Sequence, residues 1–140
     1  MANKDADCVL ATAQAVTASA GTTDFFVNGT PGFNALTDQM QMEFRCVTTC
    51  DSANDTATLI GSVQVCPNDD FSNHAVTIGS SGSFVIGSEQ LTAGGLFHVP
   101  IGWNPDLDNN HMRGYFTVGT QDLSAGAFDV EIVKNPQRNY

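Results

Sequence analysis

The segment Gln39–Cys46, QMQMEFRC, alternates polar and apolar residues without a break. Met40, Met42, Phe44 and Cys46 share one parity; Gln39, Gln41, Glu43 and Arg45 share the other. Successive side chains of a strand point to opposite faces, whereas a helix would scatter this set around its circumference. The segment therefore predicts a half-buried strand, and a strand with one apolar face needs further strands to complete its sheet and cover it. The same period returns near the C-terminus. In HMRGYFTVG (His111–Gly119) Met112, Phe116 and Val118 face inward, with Arg113, Tyr115 and Thr117 outward. In AFDVEIVK (Ala127–Lys134) the inward set is Phe128, Val130 and Ile132. A polar loop, TTCDSANDT, follows the first strand, and ATLIGSVQVC (Ala57–Cys66) reads as its return.

Shorter strand candidates are Asp24–Asn28, Ala75–Ile78, Ser83–Ile86 and Leu96–Ile101, separated by turn clusters such as NGTPG, CPNDDFSN, GSSGS, TAGG and GWNPDLDNN. About eight short strands with this punctuation predict an all-β, single-domain β-sandwich or jelly roll. The domain is expected over residues 14–134, with an N-terminal arm at 1–13 and a tail at 135–140. The arm sequence DADCVLATAQAV is the one helix candidate, and its Thr and Val content suits an extended conformation equally.

Charge narrows the partners. Fifteen acidic and five basic residues in 140 give a net charge of −10. That surface repels phosphate backbones, so no direct nucleic-acid partner is expected. No apolar run reaches the length of a membrane span, so no membrane partner is expected either. Lys4 is crowded by Asp5 and Asp7, and polar residues interrupt VLATAQAVTASA, so this stretch reads as retained rather than as a cleaved leader.

The candidate chemistry is thin. Cys46 falls on the apolar face of its strand, where a thiol acts as a small hydrophobe, and Cys50 falls in the loop that follows. An extended four-residue step spans roughly 13 Å, too far for a disulfide unless the chain turns within VTT. Cys8 and Cys66 add no paired ligand spacing for zinc. Inert thiols are the expectation, with one disulfide or a metal site as the alternatives. PDLDNNH begins like a calcium loop but carries His111 at the sixth position and Thr117 at the twelfth, where Gly and Glu are needed. GSSGS lacks the second Gly of a nucleophile elbow. His74, His98 and His111 have no nucleophile placed beside them by spacing. Neither a catalytic residue nor a cofactor is expected.

Two segments carry more than their period: AQAVTASAGTTDF (Ala13–Phe25), and LTAGGLFHVPIGWN leading into HMRGYFTVGTQDLSAGAFDVEIV. Together with PNDDFS (Pro67–Ser72), they resemble the tailed-bacteriophage capsid cement proteins of the Bordetella-phage type. The matching features are Gln14–Thr17, Asp24, the Arg113–Val118 strand and the Ala125-Gly126 turn. The four cysteines and the longer NGTPGFNALTDQ segment depart from that pattern. The resemblance implies a jelly-roll or sandwich virion protein on the outer surface of the capsid, made in the host cytoplasm. Its implied partners are the major capsid protein and further copies of itself, as a homodimer or homotrimer. The expected contact residues are Val9 and Leu10 in the arm and Phe33, Phe71 and Trp103 in end loops, because apolar residues outside a core mark contact sites. Two alternatives belong to other classes. A carbohydrate-binding or adhesive β-sandwich would use Trp103 and Tyr115 as platforms, and a small hydrolase would need His98 or His111 beside a serine or carboxylate.

Overall fold

The computed structural model describes residues 8–27, 40–102, 105–106 and 108–134 of the chain. Ten strands make up two antiparallel sheets, and no α-helix occurs among the described residues. In chain order they are β1 (Val9–Ala15), β2 (Ala20–Gly21), β3 (Phe26–Val27), β4 (Met40–Asp51), β5 (Thr58–Cys66), β6 (Val76–Ser80), β7 (Phe84–Val85), β8 (Leu96–Pro100), β9 (His111–Gly119) and β10 (Ala125–Lys134). A 3-10 turn, Glu89–Leu91, buries Leu91.

The first sheet runs β1-β10-β4-β8 and the second β2-β9-β5-β6, with β3 also on β9 and β7 also on β5. The pairings nest: β1 with β10, then β2 and β3 with β9, then β4 with β8, and β5 with β6 and β7 at the tip. Two further pairings, β4 with β10 and β5 with β9, fold this ribbon into its two sheets. Both open sides are closed. Asp24 N–H donates to the Leu10 carbonyl of β1 at 2.9 Å. On the other side Gly102 N–H donates to the Ile78 carbonyl at 3.1 Å.

The alternation sorts residues as the sequence predicts. Met42, Phe44, Phe116, Phe128, Val130 and Ile132 are buried, while Met40 and Val118 pack against the core from its margin. Phe44 lies at its centre. It stacks on Phe97 across the β4–β8 pair (4.9 Å between centroids) and meets Phe116 of the opposite sheet edge-on (5.6 Å). Gly61 on β5 makes room for this stack, because a Cβ there would lie 2.7 Å from Phe97 and 3.2 Å from Phe44. Gly61→Ala is therefore expected to cost about 1–3 kcal/mol by overpacking, read as a lower urea midpoint with an unchanged m-value.

Three sequence expectations are corrected. From Val9 onward the N-terminal segment is strand rather than helix. Val9–Ala15 is the edge strand of the first sheet, with Leu10 and Ala11 buried, so the folded body begins before residue 14. Hydrophobic burial decides this, since an isolated helix of that length with Thr and Val has little stability of its own. The strand after Gln39 does not end at Cys46 but continues to Asp51, which puts Cys50 in a strand and in the core. Its register against β10 shifts twice, between Cys46 and Thr48 and between Thr48 and Asp51. Each shift is a bulge that adds a residue to β4, and two additions restore the parity that turns Cys50 inward.

Candidate functional site

The outer face of the first sheet carries its charged side chains. Glu43 on β4 pairs in register with Glu131 on β10 and His98 on β8; Arg45 pairs with Asp129 and Leu96. Arg45 Nη2 lies 3.0 Å from Glu43 Oε1, and His98 Nε2 lies 3.8 Å from Glu43 Oε2, so the nearly buried Glu43 carboxylate is held from both sides. Next to it, Val9, Ala11, Thr12, Asp129 and Glu131 line a surface hollow of about 180 Å³. At its rim Asp129 Oδ1 accepts a hydrogen bond of 2.6 Å from Ala13 N–H, where β1 takes a left-handed turn (φ 45°) within an irregular register. The carboxylates here serve the sheet: one fixes a charge pair, another caps a strained backbone.

The outer face of the second sheet has a different chemistry. Arg113 and Tyr115 project from β9 beside Gln64 of β5. Phe71, in the loop after β5, lies under the Arg113 guanidinium, whose Cζ is 4.4 Å from the Phe71 ring centre and 5.2 Å from that of Tyr115. Arg113 Nε donates to Gln64 Oε1 at 2.9 Å. Gly21 on β2 leaves space for the group, because a Cβ there would collide with the guanidinium. Phe25 extends the patch, at 6.0 Å from Phe71 and 5.4 Å from the His111 ring, and remains 39% exposed. Burial pushes the Arg113 pKa down, with Tyr115 and then Cys66 opposing; the group is still a cation at any physiological pH.

Other predicted features have structural roles. The Ser81 hydroxyl donates to the Gly82 carbonyl and accepts from Gly61 N–H, so GSSGS caps a turn. Asp106 Oδ1 accepts from Asp108 N–H at 2.9 Å, an Asx turn within PDLDNN. Cys66 is enclosed by its loop, with its thiol 3.2 Å from the Asn73 carbonyl oxygen. His98 neighbours Glu43, and His111 Nδ1 lies 2.8 Å from Asn110 Oδ1; no hydrogen bond joins a histidine to a serine or cysteine among the described residues. Nor do three His, Cys, Asp or Glu side chains gather as a metal site there.

All four cysteines are free thiols. The bulged path of β4 turns both Cys46 and Cys50 into the core, and the Cys46 thiol donates to the Thr48 carbonyl at 3.1 Å. Burial first, and the Cys46 neighbour second, push Cys50 up to about 12 from 9.0, and burial raises Cys46 in the same direction. The native state thus keeps protons that the unfolded chain releases from about pH 9. Their contribution is fully present below pH 9 and is lost as pH rises toward 12. Cys50→Ala is expected to flatten the fall in urea midpoint across that window relative to wild type; an identical slope in both proteins counts against this assignment.

The five residues expected at contacts have different surroundings. Leu10 is fully buried in the core, and Phe71 is buried beneath Arg113, so neither offers a free apolar side chain. Val9 lies half-buried on the rim of the hollow. Phe33 and Trp103 lie outside the described residues. Tyr115, the other proposed glycan platform, is half-buried with Arg113 beside its ring. Spacing alone did not reveal the Arg113 cluster, since its members come from four separate segments. The one local signal was the i, i+2 placement of Arg113 and Tyr115 on the outward parity.

The architecture defines the class: an all-β domain of two antiparallel sheets whose inner faces share one core. Within it the chain belongs to the Bbp16 family, a family of Bordetella phage proteins, which it matches over residues 10–132. That span reaches from Leu10 in β1 to Ile132 in β10 and so covers both sheets. No curated protein matches the chain. No helix among the described residues is long and apolar enough to cross a membrane.

Proposed function

We propose that this chain is a jelly-roll cement protein, a virion component that binds the outside of an icosahedral phage head and stabilises it by bridging capsid subunits. Membership of a Bordetella phage family across both sheets carries this reading. The strand orders β1-β10-β4-β8 and β2-β9-β5-β6, with nested pairings, support the jelly-roll assignment, since rolling up a long antiparallel ribbon produces that order. A net charge of −10 suits a protein on the outer shell, away from packaged DNA. The partners in this reading are the major capsid protein and further copies of the chain, and the role is structural rather than catalytic. Modest interface energy per copy, repeated over a closed shell, becomes large resistance to rupture.

The test is decoration of heads assembled without this protein. Purified full-length chain is expected to co-sediment with them saturably and to raise the temperature at which they rupture. A folded protein that neither binds these heads nor occurs in purified virions overturns the reading.

A further inference from the structure

Arg45 and Arg113 are two of only five basic residues in the chain, and the fold treats them oppositely. Arg45 is neutralised by Glu43 at 3.0 Å. Arg113 is half-buried, yet none of the chain's carboxylates pairs with it among the described residues, and its one hydrogen bond there is from Nε to Gln64. Its two terminal nitrogens are left without a hydrogen-bond partner among those residues. The terminal nitrogens keep access to water, while partial withdrawal of the group without an opposite charge costs free energy. A chain with fifteen acidic residues had ample means to neutralise it.

The surroundings immobilise rather than neutralise the group. Phe71 and Tyr115 flank the guanidinium, Gln64 holds Nε, and Gly21 clears its space. A planar fork fixed in this way loses little entropy on forming two parallel hydrogen bonds to a carboxylate. Phe25, 39% exposed, adds an apolar contact beside it. A central arginine among aromatic side chains is the composition of an interface hot spot.

We propose that the outer face of the second sheet around Arg113 is the docking surface for the capsid shell, and that it receives an Asp or Glu side chain of a shell subunit flanked by apolar residues. The inference rests on the cement reading and specifies the contact. Charge complementarity selects this occupant: the guanidinium is a fixed, half-buried cation with no carboxylate paired to it among the described residues, in a chain of net charge −10. It also reverses the expected polarity of docking at this point, because the overall charge of −10 favours a basic ridge, whereas Arg113 demands an acid.

The experiment measures binding of full-length wild type, Arg113→Gln, Arg113→Lys and Phe25→Ser to heads assembled without the protein, with Tm recorded for each. Arg113→Gln is expected to weaken binding about 30-fold or more, the change that marks a hot spot. Arg113→Lys keeps the charge but not the planar fork, and is expected to restore only part of that loss. Phe25→Ser lies outside the core and is expected to keep its Tm while binding several-fold more weakly, which preserves the test if Arg113→Gln does not fold. Wild-type binding with unchanged affinity in the folded Arg113 variants and in Phe25→Ser overturns the docking surface and leaves the cement reading intact. Absence of wild-type binding overturns both.

Discussion

Phe44→Ala is expected to lower stability by about 3–5 kcal/mol, the range for removing a fully buried aromatic ring. Phe44 has 0% exposure and touches both sheets through Phe97 and Phe116. Truncation therefore removes ring contacts in two directions and leaves a void over Gly61, whose missing side chain cannot help to fill it. Neighbouring rings have little freedom to collapse inward, because Phe116 is itself fixed against Phe128 at 5.3 Å. A domain of this kind has a total stability of only about 5–15 kcal/mol, so one substitution consumes a large share of it. In thermal unfolding the loss corresponds to a Tm lower by roughly 10 °C or more. Phe44→Leu refills part of the volume and is expected to recover more than half the loss. A change below about 1 kcal/mol for Phe44→Ala, typical of surface sites, would contradict the assignment of this face to the core.

The sequence was legible where one rule operated alone. On β4, β9 and β10 burial of one face dictates the period, and the inward residues could be named one by one. It was less legible where a second rule interfered. Bulges in β4 broke the alternation after Cys46, so that Val47, Thr48 and Thr49 are all exposed and a continuing strand read as a loop. In β1 the short apolar set Val9, Leu10 and Ala11 has no clear period, because the strand shifts register against β10 twice. Only the tertiary pairing shows that Leu10 completes the core. The Arg113 patch belongs to a third category. Phe25, Gln64, Phe71 and Arg113 are far apart in sequence and meet only because β9 lies between β3 and β5. No local pattern encodes that meeting. Phe71 reads in the sequence as an apolar loop residue, and only the fold shows its ring under the Arg113 guanidinium at 4.4 Å.

Deleting residues through Ala13 is expected to abolish cooperative folding, because the segment from Val9 to Ala13 is structural. The deletion removes Leu10, with 0% exposure, and Ala11, with 1%, from the core. Leu10→Ala alone is expected to cost about 2–5 kcal/mol. The deletion also strips β10 of its pairing with Val9 and Ala11 and opens a sheet edge along β10. A newly exposed edge adjoining buried apolar residues favours association between chains. Loss of the Leu10 carbonyl frees Asp24 N–H, so the seal between the two sheets is lost as well. Together these losses exceed what a marginally stable domain tolerates. The expected result is a truncated chain with no sigmoidal melt and with aggregates on size-exclusion chromatography. A truncated protein that melts cooperatively within about 1 kcal/mol of wild type would show β1 to be dispensable. Weakened attachment of such a deletion to phage heads would therefore say nothing about contacts. Val9 separates the two effects, since it lies on the rim of the outer hollow beside Glu131 rather than at the centre of the core. Val9→Ser is expected to leave Tm nearly unchanged, so any loss of head binding in that variant belongs to the surface of the first sheet and not to its folding.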